Sequence, residues 1–276
     1  MKNVVTSRQN PTVKRLCALL DKKARKREGA FRFDGIKLLC EAAKKGLSIE
    51  LVAVSEAADE AVTARIEELA DGGYLSSEKL FYVSEQVFEK ISEESSPEGV
   101  VTVARFIEEK HKAVGLCEEY GLCREERILL AESLRDPGNL GTVIRSAAAL
   151  GIDRLIITDD CADIYNPKTV RAAMGGLFAL NIDLVKKDEL PRLIELLQER
   201  GRRIYAAALA ENAEEIGKIE LKRGDAFVIG NEGHGLSAQT IEAASGVAII
   251  PMTEGSESLN AAAAAAICIW ETVRAK

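Results

Sequence analysis

The stretch Val228-Ile229-Gly230-Asn231-Glu232-Gly233-His234-Gly235-Leu236-Ser237 sets the frame for the residues on either side of it. With Ala226 and Phe227 it forms a short apolar run that stops directly at three glycines interleaved with Asn231, Glu232 and His234. An unbroken apolar run of this length, with no polar alternation, suits a strand buried on both faces of a parallel sheet. Glycines at its exit let main chain approach a ligand closely. Ligands collect at the carboxyl ends of strands in such sheets, so this loop is the first place to look for a site. Its spacing is neither G-x-G-x-x-G nor G-x-x-x-x-G-K-[ST], which speaks against a nicotinamide or nucleoside triphosphate site.

Working outward, the same kind of run recurs at Ile128 to Glu132, Leu155 to Thr158, Ile182 to Val185, Ile204 to Ala208 and Val247 to Ile250. Helical patterns separate these runs, among them Leu140 to Leu150, Leu190 to Arg200 and Leu259 to Arg274, whose alanine run Ala261 to Ala266 suits close helix packing. The pattern predicts an α/β domain with a mostly parallel sheet covered on both faces. Before it, shorter helix and strand patterns alternate: helices at Val13 to Leu20, Ile36 to Lys45, Ala57 to Ala70 and Glu85 to Ile91, strands at Ala30 to Phe33, Glu50 to Val54, Lys79 to Val83 and Gly99 to Ala104. This reads as a smaller α/β domain over 1–106, with 107–276 as the second. The division falls in the charged stretch from Phe106 to Arg127.

The 276 residues allow one or two domains, and 47% hydrophobic with 29% charged residues is a globular composition. The longest apolar stretch, Ala261 to Trp270, is about half the length of a spanning helix, so no membrane residence is expected. The opening MKNVVTSRQNPTVKR has no apolar core of a secretory signal, which points to the cytoplasm. The six cysteines then read as thiols; with no CxxC pair, and with His111 and His234 as the histidines, they argue against a structural zinc site. The net charge of −7 is unevenly distributed. Residues 1–30 hold nine basic residues against two acidic, a net +7, leaving −14 for the remainder. A basic arm on an acidic body can bind a polyanion locally, and Arg8, Lys14, Lys22, Lys23, Arg25, Lys26 and Arg27 are the candidate contacts to it.

Two further strand exits carry chemistry-bearing residues. Leu134-Arg135-Asp136-Pro137-Gly138-Asn139-Leu140-Gly141-Thr142-Val143-Ile144-Arg145 is a turn leading into a helix, and Ile249-Ile250-Pro251-Met252-Thr253-Glu254-Gly255-Ser256-Glu257-Ser258-Leu259-Asn260 is a polar loop with Ser258 as the expected cap of the last helix. Taken singly, each is ordinary turn and capping chemistry. Together, in this order and spacing, the N-L-G-x-x-x-R, G-N-E-G-x-G and I-P-M…S-L-N elements resemble the SpoU (TrmH) family of RNA methyltransferases over residues 126–276. The S-R-x-N-P-x-V-K opening and the S-P-E-G-V-V-T-V closing of residues 1–105 resemble the substrate-binding domain fused to this family, similar in fold to kink-turn-binding ribosomal proteins. One departure is Ala173 and Gly176 within Arg171 to Phe178, where relatives often show R-A-S-x-G-A-x-F; the missing hydroxyl bears on substrate contact.

The resemblance implies a SPOUT trefoil knot in the second domain, S-adenosylmethionine as cofactor, RNA as substrate and a homodimer. It implies main-chain contacts from Gly230, Ile250 and Leu259 to the cofactor, with Asn231, Met252 and Ser258 in the same set. It casts Arg145 as catalytic, supported by Asn139, Glu232 and Asn260. The implied reaction moves a methyl group to a ribose 2′-hydroxyl of ribosomal RNA, with transfer RNA as the other target. An arginine keeps its proton, so stabilising the developing alkoxide suits Arg145 better than proton abstraction. His234 is the alternative base, since imidazoles titrate near neutral pH. A noncatalytic RNA-binding or ribosome-assembly factor on the same scaffold is the competing function. Retention of Asn139, Arg145, Glu232 and Asn260 favours the enzyme. An ordinary doubly wound nucleotide enzyme lacks its glycine fingerprint here.

Overall fold

The computed structural model describes residues 3–94, 96–108, 110–113, 125–210, 213–231, 233–253 and 258–275. The chain divides into two compact units, one of residues 1–107 with 165–178, the other of 108–164 with 179–276.

In the first unit, α1 (Pro11–Ala18) and α2 (Lys22–Glu28) precede β1 (Ala30–Asp34), α3 (Ile36–Lys44), β2 (Ile49–Ser55), α4 (Glu60–Asp71), β3 (Leu80–Val83), α5 (Glu85–Ile91) and β4 (Val100–Arg105). The sheet order is β1-β4-β2-β3, with β4 antiparallel to both neighbours and β2 parallel to β3. Local chemistry starts the first two helices. Asn10 accepts from the Thr12 amide at 2.8 Å with Pro11 in the first turn, and Asp21 accepts from the amides of Lys23 and Ala24. Residues 165–178 complete this unit: Tyr165 stacks on Phe106 at 4.1 Å between ring centroids, accepts from the Ile107 amide at 2.7 Å, and lies 4.7 Å from Phe31. This segment carries α7 (Pro167–Ala173), which the apolar patterning does not mark.

The second unit runs β5 (His111–Ala113), β6 (Ile128–Ala131), α6 (Pro137–Leu150), β7 (Arg154–Thr158), β8 (Asn181–Val185), α8 (Leu190–Glu199), β9 (Ile204–Ala207), β10 (Glu214–Glu215), β11 (Ala226–Ile229), α9 (Ala238–Ala243), β12 (Gly246–Ile249) and α10 (Ala261–Arg274). Its sheet order is β10-β12-β9-β11-β6-β7-β8-β5, and every pairing is parallel. The stretch read as a charged division therefore holds the edge strand β5, which pairs with β8. Both faces are covered, as continuous apolar strands require. Ile128, Leu130, Ala226 and Val228 pack with Leu190, Leu193, Ile194 and Leu197 of α8, and Ile241 and Ala243 of α9 join them. On the other face α10 lies against α6 and β11. Strand β6 sits mid-sheet, with β7 and β8 on one side and β11 and β9 on the other. The exits of β6 and β11 are therefore neighbours.

Candidate active site

The exits of β9, β11 and β12 border two adjoining cavities of about 340 and 120 Å³, which share Ala207 to Leu209, Ser258, Leu259 and Ala264. Gly230, Asn231 and His234 line the larger, Ile250 and Met252 the smaller. Two of the three strand-exit segments, separated by about twenty residues, thus meet at one cleft. Its walls are largely apolar side chain and main chain. Leu209, 64% exposed, and Leu259, 38% exposed, offer flat apolar surface of the kind a purine ring covers. Leu209 follows a strand exit that sequence reasoning left aside, although the rule about carboxyl ends applies to β9 as much as to β11.

The glycine-rich loop is closed on itself. The Asn231 amide donates to the Gly235 carbonyl at 3.2 Å, and the Gly235 amide returns a bond to the Asn231 carbonyl at 2.9 Å. Asn231 Oδ1 also accepts from the Gly233 amide at 2.7 Å. Gly235 has φ +65°, the left-handed region that glycine enters freely. Gly230 is required for a different reason: a Cβ there would lie 2.4 Å from the Gly235 carbonyl carbon and 2.5 Å from the Leu236 nitrogen. The sequence suggests that this glycine makes room for a ligand. In the structure it first makes room for its own loop.

At the exit of β6, Asp136 caps α6 by accepting from the Asn139 amide at 2.8 Å, with Pro137 in the first turn. Asn260 caps α10, accepting from the amides of Ala262 and Ala263, and its Nδ2 donates to Asn139 Oδ1 at 3.0 Å. The two asparagines join the starts of α6 and α10. Arg145 stands exposed further along α6, its side chain with no hydrogen bond or ion pair among the described residues. Glu232 lies outside the described residues.

Sequence reasoning missed a buried polar cluster behind the loop. Glu132 is 1% exposed and its Oε2 accepts from the Ser237 amide at 3.1 Å. Ser133, with φ 57°, donates its amide to Thr158 Oγ1 at 2.8 Å and its hydroxyl to Asp160 Oδ2 at 2.7 Å. Lys187 Nζ donates to Ser133 Oγ at 2.8 Å and reaches Asp160 and Glu132 at 3.4 and 3.9 Å. Burial alone pushes the Asp160 carboxyl up. Hydrogen bonds from Thr158, Ser133 and Arg135, with the charge of Lys187, outweigh burial and hold it below the ordinary aspartate value. No motif marks these residues, because they are separated by up to about fifty positions and only the sheet brings them together.

Residues 126–270 match the family model of the SpoU rRNA methylases. The 23S rRNA (guanosine(2553)-2′-O)-methyltransferase of Bacillus subtilis is 32% identical over 96% of this chain and 97% of its own. The chain belongs to the SpoU rRNA methylase family. Residues 10–102 match the MRM3-like substrate binding domain. Among solved structures, the AdoMet-bound rRNA methyltransferase of Sinorhizobium meliloti superposes with a TM-score of 0.82 at 28% identity, covering 99% of this chain and 97% of that one. The SpoU methyltransferase AviRb of Streptomyces viridochromogenes, in complex with AdoMet, gives 0.77 at 26% identity, with 96% and 98% covered.

In this SpoU protein the basic residues of the first unit do not form one class. Lys14, Lys22, Lys23, Lys26 and Arg27 are exposed, and exposed Arg8 donates to the Gln86 carbonyl at 3.2 Å. Arg25 is the exception and corrects the expectation of an RNA contact. It is 1% exposed and donates to the carbonyls of Leu19 and Leu20 at 2.9 and 2.6 Å, satisfying main chain between α1 and α2. The departure at Ala173 also changes meaning. That position is fully buried, so a hydroxyl there would enter packing rather than face substrate.

Proposed function

We propose that this SpoU methyltransferase modifies ribose 2′-hydroxyls of ribosomal RNA, with the cleft at the exits of β9, β11 and β12 as the S-adenosylmethionine site. The observation that carries this is convergence: Gly230 and Asn231 from one motif, and Ile250, Met252, Ser258 and Leu259 from another, border the same pair of cavities. The cleft suits the cofactor. It pairs apolar walls for the adenine with the polar main chain of the strand exits for ring and ribose polar atoms. When bound there, S-adenosylmethionine supplies an activated methyl group.

The protein's own part is positioning and charge. Asn139 and Asn260 brace the segment that carries Ser258 and Leu259, while Asn231 sets the shape of the glycine-rich loop. Arg145, free of internal partners among the described residues, turns its guanidinium to the substrate. An arginine keeps its proton at neutral pH, so its work is to hold and stabilise the 2′-oxygen as the hydroxyl proton passes to a water or an RNA phosphate. The first unit holds the RNA through Lys14, Lys22, Lys23, Lys26 and Arg27, a sequence-independent phosphate contact. The domain division near residue 107 separates that work from the chemistry.

The family's trefoil knot fits a sheet in which Gly230 and Asn231 from one strand exit and Ile250, Met252, Ser258 and Leu259 from another border one cleft. A homodimer fits the exposed Trp270, 56% accessible on α10. No helix among the described residues is long and apolar enough to cross a membrane, and a ribosomal substrate supports a cytoplasmic enzyme. Mapping 2′-O-methyl positions in total RNA from cells with and without the gene tests the reading. One ribosomal position should lose its methyl group, and an unchanged map would reject it.

A further inference from the structure

The loop 230–237 is tied to the rest of the second unit at both ends by consecutive residues at the exit of β6. At its start, Asn231 Nδ2 donates to the Ser133 carbonyl at 2.9 Å; at its end, the Ser237 amide donates to Glu132 Oε2 at 3.1 Å. Neither anchor is comfortable alone. Ser133 holds φ 57°, a conformation that a non-glycine residue keeps only when its surroundings fix it. Glu132 is an acidic side chain with 1% exposure, and a charge buried that far from water is costly without an opposite charge beside it. One side chain serves both. Lys187 Nζ donates to Ser133 Oγ at 2.8 Å and faces Glu132 Oε1 at 3.9 Å.

We propose that Lys187 is a positioning residue for the cofactor loop, acting through Ser133 and Glu132. It touches neither reacting atom; it fixes the two residues that hold the loop in its closed form. Asp160, 3.4 Å from Nζ and hydrogen-bonded to the Ser133 hydroxyl, completes the clamp from the β7 side. Lys187 is itself partly exposed, so a direct contact with RNA phosphate is the competing use of its charge.

The inference rests on the reading of 230–237 as the cofactor loop, and the experiment separates the two. Calorimetry with S-adenosylmethionine on the full chain compares wild type, Lys187→Met, Lys187→Arg, Asn231→Ala and the Lys187→Met/Asn231→Ala double variant. Wild type that binds no cofactor rejects the function itself. If wild type binds, Lys187→Met should bind about tenfold more weakly, the size of a lost charged hydrogen bond. Lys187→Arg should recover to within about threefold. The two single losses should combine to less than their product, because both act on one anchor. In turnover, KM for the cofactor should rise while kcat at saturation stays within about twofold. If Lys187→Met does not fold, Ser133→Ala carries the test, removing the hydroxyl through which the lysine acts, with about fivefold weaker cofactor binding expected. Unchanged cofactor affinity in the folded variants, full multiplicativity with Asn231→Ala, or a loss confined to RNA affinity would each overturn the proposal.

Discussion

Replacing Gly230 by alanine probes the cleft most sharply, because the obstacle is main chain and cannot rotate aside. The added Cβ would sit 2.4 Å from the Gly235 carbonyl carbon, where ordinary contact begins at 3.4 Å, so the two arms of the loop must part by about 1 Å. That separation breaks the reciprocal bonds between Asn231 and Gly235, at 3.2 and 2.9 Å. Each is worth about 1 kcal/mol, and the overpacking that remains adds about 1 kcal/mol more. A total near 3 kcal/mol, expressed in the loop, weakens cofactor binding by about a hundredfold. Gly233→Ala is the control: among the described residues its Cβ meets only Asn231 Oδ1, at 3.4 Å, and should alter affinity by no more than about threefold. Titration calorimetry on both variants, with thermal melts to confirm folding, reads the difference. Equal affinities for Gly230→Ala, Gly233→Ala and wild type would refute the claim that loop closure shapes the cofactor site.

Four other outcomes are expected. Arg145→Ala should reduce methyl transfer about a hundred- to a thousandfold, roughly the scale of a lost oxyanion contact, while leaving the melt and cofactor affinity of wild type; Arg145→Lys should rescue poorly, and near-normal turnover in either would remove the arginine from the chemistry. Replacing Lys22, Lys23, Lys26 and Arg27 together by alanine should flatten the salt dependence of RNA binding with the melt unchanged. Arg25→Ala should instead lower stability by about 3 kcal/mol, since it strands the carbonyls of Leu19 and Leu20, and a chemical denaturation curve distinguishes the two behaviours. Asp160 has a lowered carboxyl pKa, so its contribution is full above the unfolded value near ~4 and is lost as pH falls through the folded value. The stability gap between wild type and Asp160→Asn should therefore shrink below about pH 4, and a gap independent of pH would contradict the network around Ser133.

The sequence shows the sheet plainly where burial on both faces writes an unbroken apolar run. All six runs from Ile128 to Ile250 become parallel strands within a residue or two of their expected ends. Where pairing rather than patterning makes the strand, nothing is visible beforehand. β5, His111–Ala113, and β10, Glu214–Glu215, are short edges whose residues carry no apolar signature. The cleft is legible because glycine, asparagine and capping residues crowd the exits of β11 and β12. The clamp of Glu132, Ser133, Asp160 and Lys187 is not, since each is an unremarkable polar residue until the sheet joins the exits of β6, β7 and β8. Arg25 misleads for a related reason. It sits among four exposed basic residues, and in the seven residues of α2 the period is too short to show that Ala24 and Arg25 turn inward.

The central claim, a cofactor-dependent RNA ribose methyltransferase, is tested most directly by transfer itself. Purified full-length protein is incubated with unmodified ribosomal RNA and S-adenosylmethionine carrying a labelled methyl group, and the digested nucleosides are separated by mass. Label should appear in a single 2′-O-methylated nucleoside; Arg145→Ala should sharply slow its appearance, and Gly230→Ala should do so when the cofactor is well below saturation. Label on a base, or none with wild-type protein that binds both cofactor and RNA, would contradict the account.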